Sequence, residues 1–217
     1  SGLGCPDWPG CYGNSNPLHA LGDIKQAEHL LPDGPVTVMK AWIEMIHRYL
    51  AMTVGALILI QVGTAFSKLK CLGKGPLLGS LGLLLLVCVQ GAFGAWTVTL
   101  KLQPIIVTFH LILALLLLAA LTSYAQQVWV EKNSAVQVLQ IKPVSGFLWL
   151  FAFVILFCQI FLGAWVSTNY AVLACPEFPT CLGSAWPETN WQEGFTLWRQ
   201  LGLNAQGEFI SPVALQT

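Results

Sequence analysis

The stretch AWIEMIHRYLA, residues 41–51, places a carboxylate, an imidazole and a guanidinium at the head of an otherwise apolar run. Glu44 and His47 are three residues apart and Glu44 and Arg48 four apart, so on a helix they occupy neighbouring positions. An ionisable group at bilayer depth is costly unless it is paired or used, which makes this trio a functional-site candidate. A second histidine, His110, interrupts the apolar run VTFHLILALL. His47 falls six residues after Ala41 and His110 six after Pro104, the outer ends of their runs, so both imidazoles are expected about 9 Å below one membrane surface. Two imidazoles at matched depth on two helices can meet across a bundle. A haem suits such a pair, because its iron accepts an imidazole on each side and its apolar ring favours a low-dielectric interior. The plainer alternative makes each histidine a hydrogen-bonded packing residue.

Arg48 suits a haem propionate, which takes a bidentate cation; it could equally snorkel outward or neutralise Glu44. Glu44 is not needed to hold a haem between two histidines. Beside the ring edge it could stabilise developing positive charge or take a proton from water, and its quieter role would be to orient an imidazole by hydrogen bonding. His19 and His29 lie among Asn, Pro and Gly and read as solvated residues.

Cysteines supply the second pattern. CPDWPGC at 5–11 returns 170 positions later as CPEFPTC at 175–181. Each pair encloses five residues, two of them proline, so the chain must double back, and proline lowers the entropy lost in doing so. Cys5–Cys11 and Cys175–Cys181 are therefore expected disulfides, either plain staples or redox-active pairs. Zinc fits less well, since the spacing exceeds the usual interval of about two to four residues. Cys71, Cys88 and Cys158 read as ordinary small residues.

The elements that must carry these residues are membrane spans. Hydrophobic residues make up 55% of the 217-residue chain and charged ones 9%, with ten basic against ten acidic, so neither a basic nucleic-acid surface nor an acidic tail is present. Four runs reach the roughly 20 apolar residues a bilayer requires: about 41–66, 76–100, 102–125 and 146–174. Lys68, Lys70 and Lys74 between the first two put that connection in the cytoplasm. Residues 1–40 and 175–217 then form extracytoplasmic cysteine segments on the oxidising face. A second echo, QGAFGAWTVTL at 90–100 against QIFLGAWVSTN at 159–169, supports an internal repeat of helix, cysteine loop and three further helices. On that reading 41–145 holds three spans of a first bundle, 146–174 opens a second, and the chain is a piece cut at both ends. The alternative is a complete four-helix protein with a duplicated loop.

Taken in order, SGLGCPDWPGCYG, EMIHRYLA, VTLKLQPIIVTFHLILALL and LGAWVSTNYAVLACPEFPTC resemble the haem A synthase family of membrane enzymes over essentially the whole chain. The resemblance implies an all-α polytopic protein of eight spans in two pseudo-symmetric four-helix bundles, four of them present here. It implies oxidation of a haem O methyl group to the formyl group of haem A, for terminal oxidases. His47 and His110 match the histidine pair of the substrate-haem half, Glu44 matches an acidic residue considered catalytic, and the cysteine loops match outward-facing cysteine pairs. A haem b belongs to the second bundle, whose histidine pair has no counterpart here, so the piece alone is expected to be inactive. Implied partners are haem O, membrane lipid and the farnesyltransferase that makes haem O. The implied location is a bacterial cytoplasmic membrane, with the mitochondrial inner membrane as the alternative. Two rivals remain open: a quinone-linked thiol oxidase, which the lack of a C-x-x-C pair disfavours, and a non-catalytic haem-binding electron carrier, which gives Glu44 no task.

Overall fold

The computed structural model describes residues 4–32, 34, 36–132, 146–171, 174–177, 179–199 and 209–217. Among these residues there are helices, turns and isolated bridges but no strand. The chain divides into two compact units, Ser1–Ile106 and Val107–Thr217. The first contains α1 (Leu21–Leu30), α2 (Val38–Ser67), the one-turn α3 (Leu69–Leu72), α4 (Lys74–Thr99) and the opening of α5 (Pro104–Lys132). The second contains the rest of α5, α6 (Gly146–Thr168) and two short helices, α7 (Trp191–Gly194) and α8 (Pro212–Gln216).

Helices α2, α4, α5 and α6 are each long and apolar enough to cross a membrane. Their backbone groups are satisfied within each helix, which is what a spanning segment needs, and most of their apolar side chains are uncovered; α6 buries only Ala164 and Trp165 among its described positions. The chain is thus an all-α, multi-pass membrane protein.

In the first unit α2 and α4 form an antiparallel pair through α3. Gln61 Nε2 on α2 donates to Ser80 Oγ on α4 at 3.2 Å, and Ile58 and Ala65 on one helix with Ser80 and Leu83 on the other are buried. Small and polar residues at such a seam let helices approach and hydrogen-bond where lipid offers no alternative. The turn into α5 uses Lys101 and Leu102 in left-handed conformations, φ 50° and 57°, and Pro104 opens the helix at the position where a missing N–H costs nothing.

The helix ends depart from expectation for local reasons. The first span begins at Val38 rather than near Ala41, because Thr37 caps it by accepting from Lys40 N at 3.2 Å. The third runs past Ala125 to Lys132, as its polar last turns continue the helix. The fourth stops at Thr168 instead of reaching 174: Asn169 Nδ2 takes the Trp165 carbonyl at 2.8 Å and Tyr170 turns left-handed at φ 56°. Residues 1–40 hold more than a loop, since α1 packs on α2 through Ile24. Of the connection expected at 124–145, residues 124–132 continue the helix and 133–145 lie outside the described residues, as do residues 200–208 of the second cysteine segment.

Candidate functional site

The first cysteine loop is built by its own residues and then seated on α2. Cys5 and Cys11 are bonded, with Cα atoms 4.8 Å apart. The Asp7 carboxylate accepts from the N–H groups of Tyr12 at 2.6 Å and Gly13 at 2.8 Å. That fixes the left-handed pair at 12 and 13, after which Cys11 and Asn14 exchange backbone hydrogen bonds of 2.7 and 3.0 Å. Gly10 leaves no room for a side chain, as a Cβ there would lie 2.6 Å from the Asn14 carbonyl oxygen. Gly4 is equally constrained, its Cβ position being 2.8 Å from Ala41 N. With Cys5, Cys11, Ala20 and Ile24 packed on Ala41 and Met45, the loop forms one small core with the first turns of α2.

At the base of that core sits the pair Glu44 and Arg48, 7% and 9% exposed. Arg48 Nη2 donates to Glu44 Oε1 at 2.6 Å. Its Nη1 faces three loop carbonyls, those of Asp7 at 2.9 Å, Pro9 at 3.2 Å and Gly10, with Met45 Sδ at 3.7 Å. Glu44 Oε2 accepts the N–H of Gly4 at 3.0 Å. Of the roles the sequence leaves open for Arg48, the geometry contains neutralisation of Glu44. The contacts with loop carbonyls were not foreseen, because backbone acceptors carry no residue identity; the only signal was the four-residue spacing of Glu44 and Arg48. Tyr49 adds a bond from its hydroxyl to the Ser15 carbonyl at 2.5 Å.

His47 lies on the same turn of α2 and is exposed. It is nine residues from the start of its helix at Val38, not six from the expected start, because of the Thr37 cap. His110 is six residues into α5 and half-buried. His19 and His29 are exposed, the latter in the last turn of α1. Among the described residues no three His, Cys, Asp or Glu side chains cluster as a metal cage.

The second loop repeats the first in outline. Cys175 and Cys181 are bonded with Cα atoms 4.7 Å apart, Cys181 and Ser184 exchange backbone bonds of 2.8 and 3.1 Å, and Leu182 and Gly183 take the left-handed turn. Beyond it a polar knot ties the segment to the end of α6. Glu193 accepts from Ser211 through its hydroxyl at 2.6 Å and its N–H at 2.9 Å. Buried Arg199 donates to the Glu193 carbonyl at 3.1 Å and to Asn169 Oδ1. Trp165 Nε1 donates to the Gly194 carbonyl at 3.0 Å, and Phe161, Trp165, Phe195 and Trp191 stack in series. Asn190 and Glu193, in capping-box spacing, were the overlooked signal in the sequence.

The hydrogen bonds from Ser211, and then the Arg199 charge, hold the Glu193 carboxyl below its ordinary 4.5, against an opposing contribution from burial. A depressed folded value means that the unfolded chain takes up a proton first as pH falls. The stabilisation is therefore whole above about pH 4.5 and is lost as pH drops through the lower folded value. Acid titration followed by tryptophan emission should show this loss, and Ser211→Ala should flatten the slope. The variant also removes the α8 cap, lowering stability at every pH by about 1 kcal/mol; an unchanged acid slope would contradict the assignment.

The fold and site define a multi-pass helical membrane protein with two matched disulfide loops, one anchored on a buried Glu–Arg pair beside an exposed histidine. Residues 1–209 match the COX15-CtaA family of cytochrome oxidase assembly proteins, and the chain belongs to that family. It is 38% identical over 202 residues to a haem A synthase of Shewanella oneidensis, covering 91% of this chain and 56% of that protein. A haem A synthase of Alkalihalophilus pseudofirmus is 31% identical over 190 residues, covering 86% of this chain and 57% of the relative. A third, from Shouchella clausii, is 27% identical over 191 residues. The chain spans little more than half the length of these relatives. No solved structure matches it.

Proposed function

We propose that this chain contributes the substrate-haem site of a haem A synthase, in which a methyl group of haem O is oxidised to the formyl group of haem A. The single observation that carries the reading is the match at 38% identity over 91% of the chain to a protein of that name. His47 and His110 would ligate the iron of haem O, the substrate. Both oxygens of Glu44 already accept hydrogen bonds, so its part is electrostatic. A fixed carboxylate one turn from His47 lowers the cost of positive charge developing on the ring edge.

A resident haem b finds no fit among this chain's own residues. On this reading two of its four histidines, 47 and 110, serve the substrate, and the other two, 19 and 29, are exposed outside the spans. The bacterial relatives support the cytoplasmic membrane as the site of action, the cysteine loops outermost by the lysine rule, with lipid and the haem O-producing farnesyltransferase as partners. The electron-carrier reading gains from one observation: Glu44 has a structural task, anchoring the loop, that needs no catalysis. The thiol-oxidase reading loses from another, because Cys5 and Cys11 have no exposed surface at which partner thiols could attack.

Haem extraction from a host lacking its own haem A synthase tests the proposal. The full-length protein should yield haem A, and His47→Ala and His110→Ala should each abolish it. Haem A formation surviving in both variants would sink the reading, whereas bound haem without conversion in the unsubstituted protein would establish the carrier.

A further inference from the structure

The loop gripped by Arg48 and the histidine preceding Arg48 share one turn of α2. At 100° per residue, His47 lies about 60° around the helix from Glu44 and about 100° from Arg48, beside the loop-bearing face rather than beneath it. The loop is held from Glu44 through Gly4, from Arg48 through the carbonyls of Asp7, Pro9 and Gly10, and from Tyr49 through Ser15. These attachments span about 140° of the helix circumference, so rotation of α2 about its axis breaks them. An imidazole tip reaches roughly 6 Å from the axis, and a rotation of about 10° moves it about 1 Å. That displacement is about twice the roughly 0.5 Å within which a ligand constellation must be held.

We propose that Arg48 is a positioning residue: by binding the carbonyls of the Cys5–Cys11 loop it fixes the rotation of the first turns of α2, so that loop seating and haem ligation at His47 are thermodynamically linked. The linkage rests on the assignment of His47 as a haem ligand; the clamp itself does not. Because Cys5 and Cys11 are both 0% exposed, a reductant reaches their bond only when the loop leaves α2. The reduction rate therefore reports loop opening. The Cys175–Cys181 bond, whose Cys175 is half-buried, serves as reference in the same molecule. Reciprocity requires that a haem which fixes the His47 turn also slows loop opening.

The test uses the full-length protein in detergent, with and without haem, its free Cys71, Cys88 and Cys158 first blocked. Dithiothreitol closes its own disulfide as it delivers two electrons and two protons to each cysteine pair, and a mass-tagging maleimide then counts the thiols pair by pair. Haem is expected to slow reduction of Cys5–Cys11 about fivefold in the unsubstituted protein. Arg48→Met should raise the haem-free rate about a hundredfold or more, as expected for breaking a buried ion pair that holds the loop closed, leave Cys175–Cys181 unchanged and erase the haem dependence. Arg48→Lys, which keeps the cation without the fork, should fall between. An Arg48→Met rate equal to that of the unsubstituted protein overturns the clamp, and the lysine variant decides the matter if the methionine variant does not fold. A rate blind to haem in the unsubstituted protein overturns the linkage. Should that protein take up no haem with two imidazole ligands, the haem assignment falls and the linkage with it, while the haem-free rates still decide the clamp.

Discussion

Replacing Arg48 with methionine is expected to destabilise the cysteine-loop end of the first unit by about 3–5 kcal/mol, the usual cost of removing one member of a buried ion pair. Methionine reproduces the apolar stem of arginine as far as Nε and lacks the guanidinium beyond it, so the loss is chiefly one of charge and donors. Glu44 would keep its bond from Gly4 but lose the guanidinium 2.6 Å away, and the carbonyls of Asp7, Pro9 and Gly10 would lose their shared donor. A carboxylate left buried without its cation dominates that sum. Glu44→Gln tests the point, because in the double variant the stranded charge is gone. The two substitutions together should therefore cost less than the sum of the singles, with a coupling of about 0.5–3 kcal/mol. Thermal unfolding of the four proteins in one detergent measures it. A methionine variant within about 1 kcal/mol of the parent would mean that solvent screens the pair as it does at a surface.

The sequence makes some of this arrangement visible and hides the rest for identifiable reasons. Four spans are legible because roughly 20 apolar residues leave few alternatives. Their ends are not, because Thr37 and Asn169 act through single side-chain bonds to the backbone that do not alter hydropathy. Helix α1 escapes notice because Ile24 is its only fully buried side chain, too little for a periodic apolar stripe to show. The disulfides follow from five intervening residues with two prolines in each loop. Glu44 and Arg48 announce themselves as charges in a greasy run and as an i, i+4 pair. Their partners in the loop do not, since any residue type presents a carbonyl. The same limit applies to the polar knot around Glu193, where Ser211 and Asn169 lie 18 residues ahead and 24 behind in the chain.

Removing the first disulfide is expected to cost less than removing Arg48. The Cys5–Cys11 bond closes a ring of residues six apart in sequence, and a ring of that size restricts the unfolded chain by only about 2 kcal/mol. The clamp is worth about 3–5 kcal/mol by the estimate for its broken pair, and Cys5→Ser with Cys11→Ser leaves every bond of Arg48, Glu44 and Tyr49 to the loop in place. The double serine variant should therefore keep its loop seated on α2, melt below the parent and above Arg48→Met, and resist trypsin at Lys25 in the adjoining α1 much as the parent does. The reverse order of melting, or rapid cleavage at Lys25 in the serine variant, would make the covalent ring the anchor and reduce the guanidinium to an accessory. The ranking follows from where each contribution acts: the disulfide mainly narrows the unfolded ensemble, whereas the guanidinium acts in the folded state, where Glu44 has no other cation within bonding distance among the described residues.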